Sequence, residues 1–398
     1  MNQSPTTPTL YTQAGSNPSP NISIVIPTLN ESHTIKEFIQ WCHEGLKKAN
    51  VTGQILIIDS STDDTPNIAL AAGAEVLRVQ KKGLGRAYID SIPFIRGEFV
   101  IMGDADLTYD FRELEPFIAA FKTGAQYVMG SRFKGSIEDG SMPALHRYFG
   151  TPLTTWILNT IYSSKFSDIH CGMRGITLDA LKKINLTSQS WEYASEMVLK
   201  AARMKLTIQE VPVAFYKDRE GRVSHHKRMG WLSPWIAGWI NLKVMLIYAP
   251  DKLLFWPGAI IATAGIIVCS SLAHGSLTLA GITFNLYWML LGITAATLGY
   301  SCMQIAAFAS LSHRLNTKVT SFLTKVWTYN RGIIGAALLT ISGISCLSPF
   351  ALNYITNNFK LYTISNLALF GLLLVILGFQ TFSATILLEL IHRTNHEK

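Results

Sequence analysis

The sequence predicts an α/β domain built on a mostly parallel sheet, followed by an interfacial helix and four transmembrane helices. Two patterns predict it. From residue 21 to residue 129, short β-branched runs alternate with helical segments, as in a sheet covered by helices on both faces. From Leu253 onward, four apolar runs contain no Asp, Glu, Lys or Arg. At 48% hydrophobic and 15% charged over 398 residues, the chain is too apolar to be soluble throughout and too charged to be membrane-embedded throughout. The two patterns therefore belong to separate parts.

Met1–Pro20 is polar and lacks an apolar signal segment, so a disordered tail is expected there. Strands are expected at Ile22–Ile26, Ile55–Ile58, Val76–Val79, Phe99–Met102 and Tyr127–Met129. Helices are expected between them at Thr34–Lys48, Pro66–Ala72, Ala87–Phe94 and Glu113–Phe121. Thr65-Pro66 opens the second with a capping hydroxyl and a proline in the first turn. The α/β domain is taken as residues 21–228. Residues 229–252 follow as an interfacial helix: Trp231, Trp235 and Trp239 share one face at i, i+4 and i+8, Ser233-Pro234 can start it, and Lys227 and Lys243 flank it. The alternative for that stripe is packing into the protein core.

Residues 253–398 carry the apolar runs Leu253–Leu272, Leu286–Ser312, Gly332–Pro349 and Ile364–Leu388. Each suits a helical crossing of roughly 30 Å of hydrocarbon. Arg314, Lys318, Lys325 and Arg331 lie between the second and third runs, whereas Ala273–Phe284 has no Lys or Arg and the third connection only Lys360. The positive-inside rule then puts the α/β domain, the central loop and the C-terminus in the cytoplasm of a multi-pass inner-membrane protein. The formal charge of +8 suits anionic headgroups and phosphate ligands, and no basic-aromatic nucleic-acid module is present. Cys42, Cys171, Cys269, Cys302 and Cys346 are scattered and fit neither a disulfide framework nor a zinc site.

Chemistry concentrates at Asp104-Ala105-Asp106, which closes the apolar run Phe99–Gly103. Carboxylates at the carboxyl end of a strand in an open α/β sheet sit where such sheets bind ligands. Spaced i and i+2, they can share one hard divalent ion through oxygen and leave positions open for phosphate. A capped strand end is the plainer alternative.

Further loops occur in a fixed order around that pair: Ile26-Pro27-Thr28-Leu29-Asn30-Glu31, Asp59–Thr65, Lys82-Gly83-Leu84-Gly85-Arg86-Ala87-Tyr88, Gly130-Ser131-Arg132-Phe133, Met142–Arg147, Asp168–Gly175, Ala194-Ser195-Glu196-Met197 and Leu246–Pro250 leading to Trp256-Pro257-Gly258. From about Asn21 to Gly258 the chain resembles family 2 glycosyltransferases of the GT-A fold, in particular dolichol-phosphate mannose and polyprenyl-phosphate glucose synthases. The four spans resemble the anchors of bacterial and archaeal members.

The resemblance implies a GT-A nucleotide-sugar-binding domain, with Pro27, Asn30 and Glu31 at the nucleotide. Asp59 can accept from a base N–H or simply cap its strand. Lys82, Gly83 and Gly85 either bring backbone amides to the diphosphate or form a plain turn. Asp106 is the expected direct metal ligand, and Asp104 a second ligand or a ribose contact. With no His/Cys cluster, Mg²⁺ or Mn²⁺ suits the pair. Arg132 and Arg147 match the arginines that bind the lipid phosphate, a role suited to the guanidinium. Asp168 falls to the sugar or lipid-phosphate pocket, and Glu196 is either part of the site or structural. Arg219, with Gly221, Arg222 and Ser224, resembles the loop that closes on the donor diphosphate, although His225 replaces its final Lys. Ser60, Asp64 and Thr108 depart from the mannose-synthase pattern, Thr108 standing where those enzymes use a Gln metal ligand.

The implied activity is inverting transfer of a hexose from UDP- or GDP-sugar to an undecaprenyl or dolichyl phosphate. A polysaccharide synthase is disfavoured by the lack of Gln-x-x-Arg-Trp and by the small number of spans. A non-catalytic lipid-glycan scaffold is disfavoured by joint retention of Asp104, Asp106, Arg132 and Arg147. The sequence leaves open the sugar, the nucleotide, the isoprenoid length and whether copies form a homo-oligomer.

Overall fold

The structure is a computed structural model that describes residues 7–12, 17–219, 239, 243, 247–312, 319, 321, 325–360 and 364–396. It divides into two compact units, Met1–Val244 and Met245–Lys398.

The first unit holds an eight-stranded mixed sheet made of β1 (Thr9–Tyr11), β2 (Ile22–Thr28), β3 (Gly53–Asp59), β4 (Glu75–Arg78), β5 (Phe99–Met102), β6 (Tyr127–Ile137), β7 (Arg174–Thr177) and β8 (Ile208–Phe215). Their spatial order is β1-β4-β3-β2-β5-β7-β6-β8. β4, β3, β2 and β5 run parallel, and Ile24, Val25, Ile26, Leu56, Ile57, Val100, Ile101 and Met102 are wholly buried. Burial on both faces is why these strands read as continuous apolar runs. Helices α1 (Ile35–Lys48), α2 (Thr65–Ala71), α3 (Leu84–Ser91) and α4 (Glu115–Lys122) fall where expected, within about two or three residues. α5 (Thr151–Tyr162), α6 (Leu178–Ile184) and α7 (Tyr193–Arg203) complete the unit.

From β2 the chain moves outward through β3 to β4, then returns to β5 on the other side of β2. The order therefore reverses between β2 and β5. The loops leaving these two strands flank the crevice in which an open α/β sheet binds its ligand.

Two features differ from the sequence reading. Thr9–Tyr11, placed in the expected disordered tail, pairs antiparallel with β4 in the register Leu10↔Leu77. Thus the polar segment covers an edge that would otherwise expose unpaired backbone groups. The antiparallel strand β7 is only four residues long, with Arg174 and Gly175 among them, too short for a periodic signal. The interfacial segment 229–252 lies, apart from Trp239, Lys243 and residues 247–252, outside the described residues.

Among the described residues the second unit has four helices long and apolar enough to cross a membrane: Asp251–Leu272, Leu286–Ser312, Tyr329–Thr356 and Asn366–Thr394. A small hairpin of β9 (Leu277–Leu279) and β10 (Ile282–Phe284) joins the first two. The third continues past Pro349, where the apolar run had been ended. Proline supplies no N–H for the Ser345 carbonyl, and the Ser348 hydroxyl donates to that carbonyl instead at 2.9 Å. Gly258 with Gly299, and Gly343 with Gly371, abut backbone to backbone so closely that a Cβ would collide. Small residues of this kind let apolar helices pack without a solvent-driven force.

Candidate active site

Asp104 and Asp106 leave β5 at the reversal point, both half-buried. Leu107 between them and Thr108 takes a left-handed φ of 63°. The turn is closed by Thr108, whose backbone N–H and hydroxyl donate to Asp106 Oδ1 at 3.0 and 2.5 Å. The Thr108 hydroxyl is thus spent on orienting Asp106. A Cβ on Gly172 would stand 2.7 Å from Asp104 Oδ2 and 2.9 Å from the Tyr109 ring, so glycine there lets the backbone pack against the carboxylate. Among the described residues no group of three or more His, Cys, Asp or Glu is gathered for a metal. Two carboxylates two residues apart at a strand end fit a hard divalent ion that takes its other oxygens from phosphate and water.

The loops after β2 and β3 are laced together. Asn30 N–H donates to Ser61 Oγ at 2.7 Å, Thr62 N–H to Asn30 Oδ1 at 2.9 Å, and Glu31 N–H to Thr65 Oγ1 at 2.9 Å. Pro27 lies one residue before the end of β2, half-buried. Asp59 is completely buried. Its Oδ1 accepts from the Thr28 and Ser61 hydroxyls at 2.8 and 2.6 Å, and its Oδ2 accepts from Ser61 N–H at 3.2 Å and pairs with Arg78. The β3–β4 register sets Asp59 beside Arg78. Arg78 Nη1 also donates to Ser61 O at 3.1 Å, while its Nε and Nη2 are buried without a partner among the described residues.

A strap running from Asn185 to Glu192 crosses the Lys82–Arg86 loop. Gly83 has φ +111°, and a Cβ there would strike the Gln189 carbonyl, as one on Gly85 would strike that of Ser188. Arg86 N–H donates to Gln189 O at 2.9 Å. Glu196 on α7, wholly buried, holds the strap. Its carboxylate accepts from Thr187 N–H at 3.0 Å, Thr187 Oγ1 at 2.9 Å and Ser188 N–H at 2.8 Å, and pairs with Lys200 at 2.6 Å. Burial by itself would raise this acid, but the Lys200 ammonium and the strap amides outweigh it and bring it to about 2. The same corner connects to β5, since the Tyr88 and Tyr193 rings lie 4.8 Å apart and Tyr88 Oη donates to Gly103 O at 3.3 Å.

Arg132 on β6 is nearly buried and closes its fork on Asp168, with Nε–Oδ2 2.7 Å and Nη2–Oδ1 2.9 Å. Asp168, wholly buried, also accepts the backbone N–H of Arg132 and of His170, each at 3.2 Å. His170 bonds the Thr154 hydroxyl at 2.8 Å. Burial holds its pKa down at about 4, so the imidazole stays neutral at physiological pH. Cys171 is pushed up to about 12 by burial and is an inert thiol. Arg147 occupies a wide π-type turn, His146–Gly150, with its guanidinium 5.6 Å from the centre of the Tyr148 ring. Arg219 pairs with Glu37 on α1, both exposed.

Residues 23–184 match the family described as Glycosyl transferase family 2, and residues 310–392 match the Glycosyltransferase family 2 C-terminal transmembrane region. The low-salt glycan biosynthesis hexosyltransferase Agl6 of Haloferax volcanii is 33% identical over 384 residues, covering 95% of this chain and 91% of that protein. The chain belongs to glycosyltransferase family 2. A dolichyl-phosphate hexose transferase of the same organism is 25% identical over 50% of this chain and 85% of its own length. Among solved structures, glucosyl-3-phosphoglycerate synthase of Mycobacterium tuberculosis matches at 19% identity and a TM-score of 0.44, over 58% of this chain and 80% of that one.

In this family 2 glycosyltransferase the structure gathers the loops bearing Pro27, Asn30, Glu31 and Asp59 next to β5 with Asp104 and Asp106. It bears on three expectations. Of its two readings Asp59 shows the strand-end one: its bonds go to Thr28, Ser61 and Arg78, because the neighbouring strand ends in a buried cation that must be neutralised. Gly83 and Gly85 make room for the carbonyls of the strap. Arg132 and Asp168 grip each other, since β6 buries the guanidinium and burial demands a counter-charge. Gly221, Arg222, Ser224 and His225 lie outside the described residues. The sequence reading missed Arg78, Tyr88 and the strap. Only Arg78, a charge inside an apolar strand run, carried a signal.

Proposed function

We propose that this glycosyltransferase moves a hexose of glucose or mannose type from a UDP- or GDP-linked donor to a polyprenyl phosphate, undecaprenyl or dolichyl, at the cytoplasmic face of the membrane. The observation that carries the reading is the pair Asp104 and Asp106 at the sheet's reversal point, in a chain with four membrane-length helices. The names of two relatives, a glycan-biosynthesis hexosyltransferase and a dolichyl-phosphate hexose transferase, support the hexose and the lipid phosphate. Residues 21–228 would do the chemistry, 229–252 meet the interface, and 253–398 anchor the enzyme.

A phosphate monoester is mostly dianionic at neutral pH, so it attacks the anomeric carbon without a strong base. Its oxygen forms the new bond to carbon as the carbon–oxygen bond to the nucleoside diphosphate breaks, and the electron pair departs with the diphosphate. One displacement inverts the centre. The chain's part is to hold two anions together and to stabilise the charge that leaves. Asp104 and Asp106 would hold Mg²⁺ or Mn²⁺, which when bound supplies Lewis-acid neutralisation of the diphosphate. The unpartnered nitrogens of Arg78, at the carboxyl end of β4, offer donors to a nucleobase carbonyl. Arg147 is the candidate cation for the acceptor phosphate.

Incubating the purified protein in lipid with polyprenyl phosphate and a panel of nucleotide sugars tests the reading. One donor should give an acid-labile glycolipid, and transfer only to a sugar hydroxyl would refute it. Arg147→Ala should weaken use of the lipid acceptor about 10- to 150-fold, the equivalent of about 1.5–3 kcal/mol for one charge-assisted phosphate contact, with hydrolysis of the donor retained. Loss of donor binding with normal acceptor affinity would move Arg147 to the nucleotide side. For orientation, a cysteine placed within Gly275–Gly281 should react with an impermeant reagent added outside intact cells, and one within residues 316–321 should not. The reverse labelling would rule out a cytoplasmic donor supply.

A further inference from the structure

We propose that the segment Leu145–Thr160, comprising the turn before α5 and most of α5 itself, docks on the surface of an anionic lipid bilayer. The inward face of α5 is made by Thr151, Thr155, Leu158 and Ile161, all buried. On a soluble domain the opposite face of such a helix is polar. Here it is apolar: Leu145 is 54% exposed, Tyr148 73%, Phe149 61%, Leu153 40% and Trp156 64%. Apart from the adjacent pair Tyr148-Phe149, successive members are three or four residues apart, which keeps them on one side of the helix. The apolar surface continues at Trp156 into a groove of about 280 Å³ walled by Phe133, Pro152 and Phe166. A contiguous exposed ridge of this kind marks an interaction surface.

Charge selects the occupant. Residues 140–167 contain no Asp or Glu, whereas His146, Arg147 and Lys165 are cationic or can become so. A second copy docked ridge to ridge would oppose these groups to themselves with no acid between them. The segment 221–246 of the same chain is no better, as it too lacks acids and carries Arg222, Lys227, Arg228 and Lys243. An anionic headgroup layer supplies the missing negative charge, and its boundary with the acyl chains is where Trp and Tyr settle. The proposal needs only that the chain is a membrane protein. It stands or falls independently of which acceptor the enzyme uses.

Benzoylphenylalanine incorporated in place of Tyr148 or of Trp156, in the full-length protein reconstituted in phosphatidylcholine–phosphatidylglycerol vesicles, tests it by photo-crosslinking. Both positions should form adducts with lipid acyl chains, and the same probe in place of the exposed Lys47 on α1 should form none. The yield should fall in vesicles of phosphatidylcholine alone. Cross-linked dimers, or adducts with peptides from residues 221–246, would overturn the assignment, and an undiminished yield without phosphatidylglycerol would overturn the anionic preference. Since the ridge is already solvent-facing, an aromatic probe there leaves the core untouched, and adduct formation is read without any activity assay.

Discussion

Asp106→Asn is expected to lower turnover at least about 100-fold while leaving the fold intact, the scale of loss when one preorganised stabiliser of transition-state charge is removed. The isosteric side chain keeps an oxygen that can accept both Thr108 bonds, now 3.0 and 2.5 Å long. The turn through Leu107 should therefore survive. What disappears is the negative charge that a divalent ion requires. Initial rates at saturating Mg²⁺ or Mn²⁺, paired with a thermal-unfolding midpoint, separate the two effects, and a chelator should stop the wild-type reaction. Near-normal synthesis by a mutant with an unchanged midpoint would remove Asp106 from the site.

The strands whose sequence made them legible are those buried on both faces. Ile22–Ile26, Ile55–Ile58 and Phe99–Met102 are runs in which nearly every side chain is apolar, and each leads to a loop whose residues could be examined for chemistry. β1 and β7 are short, partly polar and antiparallel, so their pairing with β4 and with β5 and β6 is set by tertiary contacts that no local window contains. The site divides in the same way. A carboxylate pair at a strand end announces itself, as Asp104 and Asp106 do. Whether a given acid or arginine faces a ligand or another side chain depends on register and on distant segments. Asp59 meets Arg78 across 19 residues, and Arg132 meets Asp168 across 36. Both pairs are therefore invisible as pairs, and their members read like separate ligand contacts. Glu196 shows the same difficulty: its motif position was legible, but its work on the strap needs the turn that brings Thr187 and Ser188 back to the start of α7.

Arg132→Ala should therefore behave unlike Arg147→Ala. Removing the Arg132 guanidinium strands the Asp168 carboxylate, wholly buried, with two backbone N–H donors at 3.2 Å left among the described residues. An uncompensated buried charge costs about 3–5 kcal/mol, which should appear as a lowered unfolding midpoint in detergent or nanodiscs. Asp168→Ala should be similarly costly, because it leaves Arg132 buried without the carboxylate on which its fork closes. Together, Arg132→Met and Asp168→Leu should cost much less than the sum of the single changes, since neither charge is then left alone. Arg147 lies on a half-exposed turn, so its replacement should leave the midpoint unchanged and act on acceptor use alone. If Arg132→Ala instead kept the wild-type midpoint and lost affinity for polyprenyl phosphate, the fork on Asp168 would have to open for the lipid. Arg132 would then rejoin Arg147 as a phosphate ligand.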